Sequence, residues 1–424
     1  MRTNRIIKEL GLKPDKKEIE RIRKKSKEII NFLRKRMKKN DIRGDIFIGG
    51  SFAKGTLMKE DFYDIDIFLR LECEEEQINF LFEKIMEEKI KWKELDFLKV
   101  RGSRRYYRII EKKDKIVFEI IPVLKIKKPE DAKNTTDLSY FHVAYVKKEI
   151  NEKMINEILI AKAFCKAAGV YGAESFINGF SGYAIECLII NYKTFKRMLK
   201  NLIKEKEKII LDPRGYYKNE KEILLKMNEN KIRSKIVLID PTYKERNILA
   251  SLSNESFEKF KKRAEEYLKN PSLDFFKRKE VKEEELEKEA KKENCSFLKI
   301  KIICKKQEGD IAGTKMKKFN EFLLNEIKKY FEIRKNEFLY FGKDNAVSLF
   351  ILKKRERILK KGPMIWLKRN CEEFKKKNKV VFKKGDRLYA LINLKKDIKE
   401  YINEWIIKNR KKIEEKGIEE VLII

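Results

Sequence analysis

Gly49-Gly50-Ser51-Phe52-Ala53-Lys54-Gly55-Thr56, running into Asp64-Ile65-Asp66-Ile67-Phe68-Leu69, is the stretch around which the chain is organised. An apolar strand, Asp45-Ile46-Phe47-Ile48, leads into this small-residue turn. The second segment also reads as an apolar strand, with two carboxylates two positions apart. Residues i and i+2 of a strand project to one face about 7 Å apart. Asp64 and Asp66 are therefore placed to share or bridge divalent cations while Ile65 and Ile67 point into a core. Gly50 and its neighbour let backbone N–H groups approach an anion, and Ser51 and Lys54 add a hydroxyl and a point charge. The spacing is not that of a Walker loop. Taken singly, Gly-Gly-Ser also suits an ordinary turn, and Asp-x-Asp a solvated strand end. Together they interrupt an apolar segment with carboxylates that are costly to leave without cations.

The chain has 424 residues, enough for two to four domains rather than one core. Lys and Arg total 104 against 69 Asp and Glu, a net charge of +35, which calls for a polyanionic partner, nucleic acid foremost. No membrane is expected: no run approaches the ~18 apolar residues of a span, and Met1 to Leu10 carries charges where a signal peptide needs an apolar run. Cys73, Cys165, Cys187, Cys295, Cys304 and Cys371 form no C-x-x-C pair, which argues against zinc and against a disulfide framework. Buried thiols and a cytoplasmic location are expected. The Lys-, Glu- and Ile-rich composition suits a thermophile. The single histidine, His142, leaves no multi-histidine site.

Along the chain, 14–39 reads as a helix starting at Pro14-Asp15, with Ile19, Ile22, Ile29, Leu33 and Met37 on one face. A helix is expected over 74–89 with Phe80, Leu81 and Ile85 inward, then strands over 97–100 and 104–110. Glu119 sits inside the β-rich run Lys115 to Val123. A glutamate in mid-strand is disfavoured unless it is paired, metal-bound or at a sheet edge, and Pro122 permits the edge. If this strand lies beside Asp64 and Asp66, three carboxylates converge, which is what two-metal phosphoryl or nucleotidyl transfer requires. From Glu149 the pattern turns helical, with turns at Gly169 to Gly172 and Gly179 to Gly182 that fix where Tyr171 and Tyr183 point. An apolar helix follows from Ala184 to Tyr192, then a strand over 237–240 and a loop carrying Lys244, Arg246 and Asn247. Residues 277–294 read as a solvated charged helix or connector. Strands are expected over 297–304, 338–341 and 347–352, with a helix over 316–331. Residues 351–390 are strongly basic, and most of Trp366, Phe374, Phe382 and Tyr389 are expected to build a small core rather than stack on RNA. Segments 398–407 and 421–424 are expected to pack.

These residues resemble the archaeal type of tRNA nucleotidyltransferase, the CCA-adding family of the polymerase β-like superfamily. Gly50-Ser51 and Asp64-Ile65-Asp66 match the superfamily pattern. Tyr171-Gly172-Ala173-Glu174, Gly179-Phe180-Ser181-Gly182-Tyr183, Asp240-Pro241 to Arg246-Asn247, and Gly362-Pro363 through Ala390 resemble family segments. The resemblance implies an α+β multidomain protein. Its parts would be a nucleotidyltransferase head over 1–145, a helical neck over 146–270, a body over 271–315 and 392–424, and a basic tRNA-binding tail over 316–391. It implies Mg2+ held by Asp64, Asp66 and Glu119, with Glu119 helping to deprotonate the RNA 3′ hydroxyl. Ser51, Lys54, His142, Lys162 and Tyr171 would meet the nucleotide phosphates, and Arg246 the incoming base. CTP would be used twice and then ATP, on a tRNA held by its acceptor and T arms. A homodimer is compatible with the sequence, which does not decide oligomeric state. Two departures stand out: Glu119 replaces a typical Asp, moving the carboxylate by roughly 1.5 Å, and Lys54 stands where Arg is frequent, losing the bidentate fork. A poly(A) polymerase or oligoadenylate synthetase would share the head, and a noncatalytic RNA-binding protein would share the charge.

Overall fold

The computed structural model describes residues 3–87, 95–102, 104–204, 207–278, 281–304, 309–340, 342–393 and 397–424. It divides into two units, Met1–Lys279 and Glu280–Ile424.

In the first unit the short helix Thr3–Glu9 is followed by the helix Lys16–Lys39, whose start is a capping box: Asp15 accepts from the Glu18 N–H and the Glu18 side chain accepts from the Asp15 N–H. The strands β1 (Gly44–Ile48), β2 (Tyr63–Leu71), β3 (Leu95–Arg101), β4 (Arg105–Glu111) and β5 (Ile116–Leu124) form one mixed sheet in the order β1-β2-β5-β4-β3. Only β2 and β5 run parallel. One face is a core: Ile65, Ile67 and Leu69 of β2 and Phe118 and Ile120 of β5 pack with Ile22, Ile29 and Leu33 of the first long helix. Because strand side chains alternate, Asp64, Asp66 and Glu119 are left on the opposite face. The helix expected over 74–89 is Ile78–Met86 after a 3-10 turn, and 88–89 lie outside the described residues. Its buried side is Ile78, Phe82 and Ile85, which share one face at helical spacing, while Phe80, two residues after Ile78, falls on the other side and is 61% exposed.

Helices Glu152–Ala167, Gly182–Tyr192, Phe195–Lys204 and Asn254–Lys269 enclose the aromatic core of Phe164, Phe180, Phe195, Phe260 and Tyr267. A small sheet of β6 (Ile209–Leu211), β7 (Ile236–Asp240) and β8 (Tyr243–Asn247) adjoins them in the same unit. The segment expected as a loop with Arg246 and Asn247 is thus strand β8. Asn247 locks it, because its buried side chain accepts from the Leu238 and Leu249 N–H groups and donates to the Lys231 carbonyl.

The second unit is built on β9 (Ser296–Ile303), β10 (Phe331–Tyr340), β11 (Asn345–Lys354) and a strand near the C-terminus, Glu420–Ile423. That last strand lies beside β9 in an antiparallel sheet of order β10-β11-β9 and then Glu420–Ile423. Helix Gly309–Ile327 connects β9 to β10, and helix Ile398–Lys408 precedes the last strand, giving the split β-α-β-β-α-β arrangement. Leu298, Ile300, Phe350 and Leu352 face these two helices. Leu349 and Ile351 face the other way, onto Leu286 and Ala290 of helix Glu283–Lys292. The run expected as a solvated connector therefore covers a sheet face, because two small apolar positions one turn apart suffice for contact. Position 341 of the expected strand over 338–341 lies outside the described residues.

Inserted after β11 are β12 (Arg357–Met364), β13 (Val380–Lys384) and β14 (Arg387–Asn393), a separate sheet of order β12-β14-β13 backed by helix Lys368–Lys377. In chain order the C-terminal strand Glu420–Ile423 is therefore β15. The expected boundaries at 316 and 391 need correction, since one cuts helix Gly309–Ile327 and the other cuts β14. The expected body and tail are thus interleaved within one unit, Glu280–Ile424, in which β9 pairs with β11 and β15. The expected aromatic core is corrected too. Trp366 is 63% exposed and Phe382 38%, while the buried residues of this sheet and helix are Ile358, Leu388, Ala390 and Cys371. Phe382 and Tyr389 are direct cross-strand partners with stacked rings, centroids 6.1 Å apart, on the face away from Leu388 and Ala390. Phe374 packs inward, where a Cβ on Gly362 would come within 2.6 Å of its ring.

Candidate active site

The parallel register of β2 and β5 sets Asp66 directly opposite Glu119 and Asp64 opposite Val117. The edge alternative for Glu119 is removed, because β5 is flanked by β2 and β4. Burial pushes the Glu119 carboxyl up to about 8, aided by the Asp66 charge and opposed by Arg108. Burial likewise raises Asp66 to about 6, against the pull of Lys54. Two adjoining buried carboxyls raised this far resist ionisation until positive charge is brought to them. Hard oxygen donors of this kind suit a hard divalent cation. In the structure the side chains are not drawn together as a metal cage: among the described residues no group of three His, Cys, Asp or Glu is arranged to hold an ion. Arg108 lies across the outer pair instead, 3.2 Å from Glu119 and 3.6 Å from Asp64.

The glycine turn fits against this locus. Gly50 opens the short helix Gly50–Lys54 with φ of 58°, and a Cβ there would fall 1.7 Å from Asp66 Oδ2. The Gly49 N–H donates to the Asp66 carbonyl at 2.9 Å. The close approach that the glycines permit is thus to the Asp66 carboxylate itself. Ser51 follows on the same turn, half-buried.

Lys54 and Lys162 meet on a buried acid that sequence reasoning passed over. Lys54 Nζ donates to Glu186 Oε2, and Lys162 Nζ donates to Glu186 Oε1 at 2.8 Å and to the Thr56 carbonyl and hydroxyl at 3.1 Å. Burial alone would raise Glu186, but the charges of Lys162 and Lys54 hold it down to about 2. Burial lowers Lys162 from its ordinary value, with the Glu186 charge opposing. Glu186 had a legible signal: it is the one acid in the run Ala184 to Tyr192.

A second constellation centres on Asp240, named from sequence only as part of a motif. It accepts from Tyr183 at 3.0 Å, from Arg246 Nη1 at 2.7 Å and from Thr242, and lies 3.0 Å from His142 Nε2. The His142 ring stacks on Tyr183 with centroids 4.0 Å apart. Burial lowers His142, although Asp240 opposes it, and Arg246 Nη1 lies 3.3 Å from the same Nε2. Lys54 stands over the other partner of that stack, 5.7 Å from the Tyr183 ring, which joins the two constellations. Tyr171 pairs through its backbone with Phe180, and Lys166 lies 4.9 Å from its ring. Its hydroxyl is 3.0 Å from where a Cβ on Gly182 would be. Of the expected set, Asp66, Glu119 and Gly50 are packed together. Lys54 and Lys162 share Glu186, and His142 and Arg246 share Asp240.

Comparison with known proteins bears on what this arrangement does. The nucleotidyltransferase domain model matches residues 26–142, which contain the carboxylate sheet, and the second-domain model of tRNA nucleotidyltransferase matches 156–277. A CCA-adding enzyme of Nanoarchaeum equitans is 32% identical over 372 residues, 87% of this chain and 89% of that protein. The chain belongs to the CCA-adding enzyme family. A second member, from Methanocaldococcus jannaschii, is 30% identical over 418 residues, 93% of this chain and 90% of its own length. Among solved structures, a Cid1 poly(U) polymerase matches 65% of this chain and 98% of its own, with a TM-score of 0.48 and 12% identity. As the family implies, the protein is a multidomain α+β nucleotidyltransferase, and the family generally uses divalent metals. Among the described residues no helix is long and apolar enough to cross a membrane.

Proposed function

We propose that this protein adds C, C and A to the 3′ end of tRNA without a nucleic-acid template, taking CTP twice and then ATP. The observation that carries the reading is family membership along nearly the whole chain, joined to the register that sets Asp66 beside Glu119. The 3′ hydroxyl oxygen forms a bond to the α-phosphorus, the bond to the bridging oxygen breaks, and pyrophosphate leaves. Mg2+, held by Asp64, Asp66 and Glu119, would activate the hydroxyl and neutralise the triphosphate and its leaving group. Glu119 helps take the hydroxyl proton. Gly50 and Ser51 bring backbone N–H groups and a hydroxyl to the phosphates beside Asp66. Lys54, Lys162, Tyr171 and His142 face the same phosphates, the two lysines oriented by Glu186. Arg246, its guanidinium fixed on Asp240, reads the base edge and admits C or A.

The basic second unit supplies the tRNA grip. The acceptor and T arms would lie on the inserted sheet, where Lys and Arg contact phosphates and the exposed Trp366 and Phe382 offer stacking surfaces. The protein would act in the cytoplasm, and the reading is compatible with a homodimer. The test incubates the protein with tRNA lacking CCA, Mg2+, and each nucleoside triphosphate singly and together. Two C additions followed by one A are expected. Long A tracts would indicate a poly(A) polymerase, and no incorporation a noncatalytic RNA-binding protein.

A further inference from the structure

Arg108 projects from β4 directly opposite Glu119 of β5. Its Nε lies 3.2 Å from Glu119 Oε1 and its Nη2 3.6 Å from Asp64 Oδ1, so one guanidinium spans the two outer carboxylates of the set. The Nε contact is an ion pair without hydrogen-bond alignment, since this buried atom has no hydrogen-bond partner. The guanidinium reaches Glu119 across the same sheet face on which Asp66 stands opposite Glu119. Where the family typically has Asp, the longer Glu119 side chain extends the carboxylate outward to meet it.

We propose that Arg108 is a resident counter-ion of the catalytic carboxylates, which competes with the divalent cation for Asp64 and Glu119 and withdraws when both become ligands. The inference rests on the reading of Asp64, Asp66 and Glu119 as the cation's ligands. Three features support it. Among the described residues no three acidic, histidine or cysteine groups are arranged as an ion site. The group between Asp64 and Glu119 is a planar fork, the side chain best suited to spanning two carboxylates. Its side chain is 36% exposed, so the withdrawn guanidinium remains hydrated rather than stranded. Competition follows from mass action: whatever stabilises the arginine-bound arrangement lowers apparent cation affinity by the population of that arrangement. The benefit is a metal-free protein in which neighbouring carboxylates do not repel one another unchecked.

The test measures Mn2+ binding to the full-length protein, without nucleotide, from the electron paramagnetic resonance signal of free Mn2+, in parallel with thermal unfolding. Wild type is compared with Arg108→Gln, Arg108→Lys and Asp66→Asn. Arg108→Gln is expected to tighten Mn2+ about tenfold, the scale of one partly buried charge-assisted contact. It should also melt at a lower temperature than wild type when metal-free, with the gap closing at saturating Mn2+. Arg108→Lys, which keeps charge but loses the fork, should fall between. Unchanged or weaker Mn2+ binding in Arg108→Gln, with binding still abolished by Asp66→Asn, overturns the counter-ion proposal and leaves the carboxylate site standing. Wild-type Mn2+ affinity in Asp66→Asn overturns the ligand assignment and the proposal with it.

Discussion

Glu119 lies directly across from Asp66 in the parallel pairing of β2 with β5. Burial, aided by the Asp66 charge on Glu119 and the Asp64 charge on Asp66, holds their carboxyls at about 8 and about 6, above the ordinary values of 4.5 and 3.8. A carboxyl whose folded value is raised binds more protons in the native state than in the unfolded one, so its contribution to stability falls as pH rises. For Glu119 the window runs from about 4.5 to about 8. The metal-free Glu119→Gln protein should therefore match wild type in stability near the acid end and exceed it increasingly toward the alkaline end. Urea denaturation across that range checks the sign, and a constant difference would refute it. Activity in the same variant should fall at least about 100-fold.

Gly50→Ala should damage the site from the turn side. Its Cβ would overlap Asp66 Oδ2, and the residue would have to hold a left-handed backbone. A loss of about 1–3 kcal/mol is expected, together with loss of nucleotide incorporation. Gly55→Ala is the control: it too sits at positive φ, but its Cβ would meet only an ordinary contact with Ile155, 3.8 Å away. It should cost stability while sparing activity.

Glu186→Gln should destabilise the protein by about 3–5 kcal/mol, because Lys54 and Lys162 would be left buried without their shared counter-charge. Lys162→Met should destabilise less, since Lys54 still partners Glu186. Chemical denaturation separates the two, and equal losses would deny Glu186 its central position.

Asp240→Asn should relax nucleotide choice. The amide cannot accept simultaneously from His142, Tyr183 and Arg246 as the carboxylate does. KM for CTP and ATP should rise about tenfold or more, and incorporation of UTP or GTP should become measurable. Unaltered selectivity would remove Asp240 as the group that positions Arg246.

Trp366→Ala and Phe382→Ala remove exposed rings and should leave unfolding midpoints nearly unchanged. Each is expected to weaken tRNA binding by about 1–3 kcal/mol, and affinity should fall steeply with salt in wild type. Filter binding at two salt concentrations checks both.

The head was legible because chemistry and periodicity agreed there. Asp64, Asp66 and Glu119 break apolar strands, and a charge in such a place needs a reason. The same logic would have found Glu186 had it been applied to the helix Gly182–Tyr192. Arg108 and Asp240 were harder, because their partners are distant in sequence: the pairing of β4 with β5 brings Arg108 to Glu119, and helix packing brings His142 and Tyr183 to Asp240. Strand β8 was hidden because Lys244, Glu245 and Arg246 carry no alternating apolar pattern. Trp366 and Phe382 misled for the opposite reason. Aromatic residues in a short segment suggest a core, but small Ala390 and Gly362 fill the interior of that sheet.

The insertion β12 to β14 leaves the parent sheet at the end of β11 and returns at the start of helix Ile398–Lys408. Neither β9 nor β15 depends on it for pairing, since the two are hydrogen-bonded to each other. The module is therefore a detachable cassette: a short linker in its place should leave the four-stranded scaffold foldable. If the insertion holds the tRNA as proposed, exchanging it at the same two joints should change acceptor preference without disturbing the chemistry.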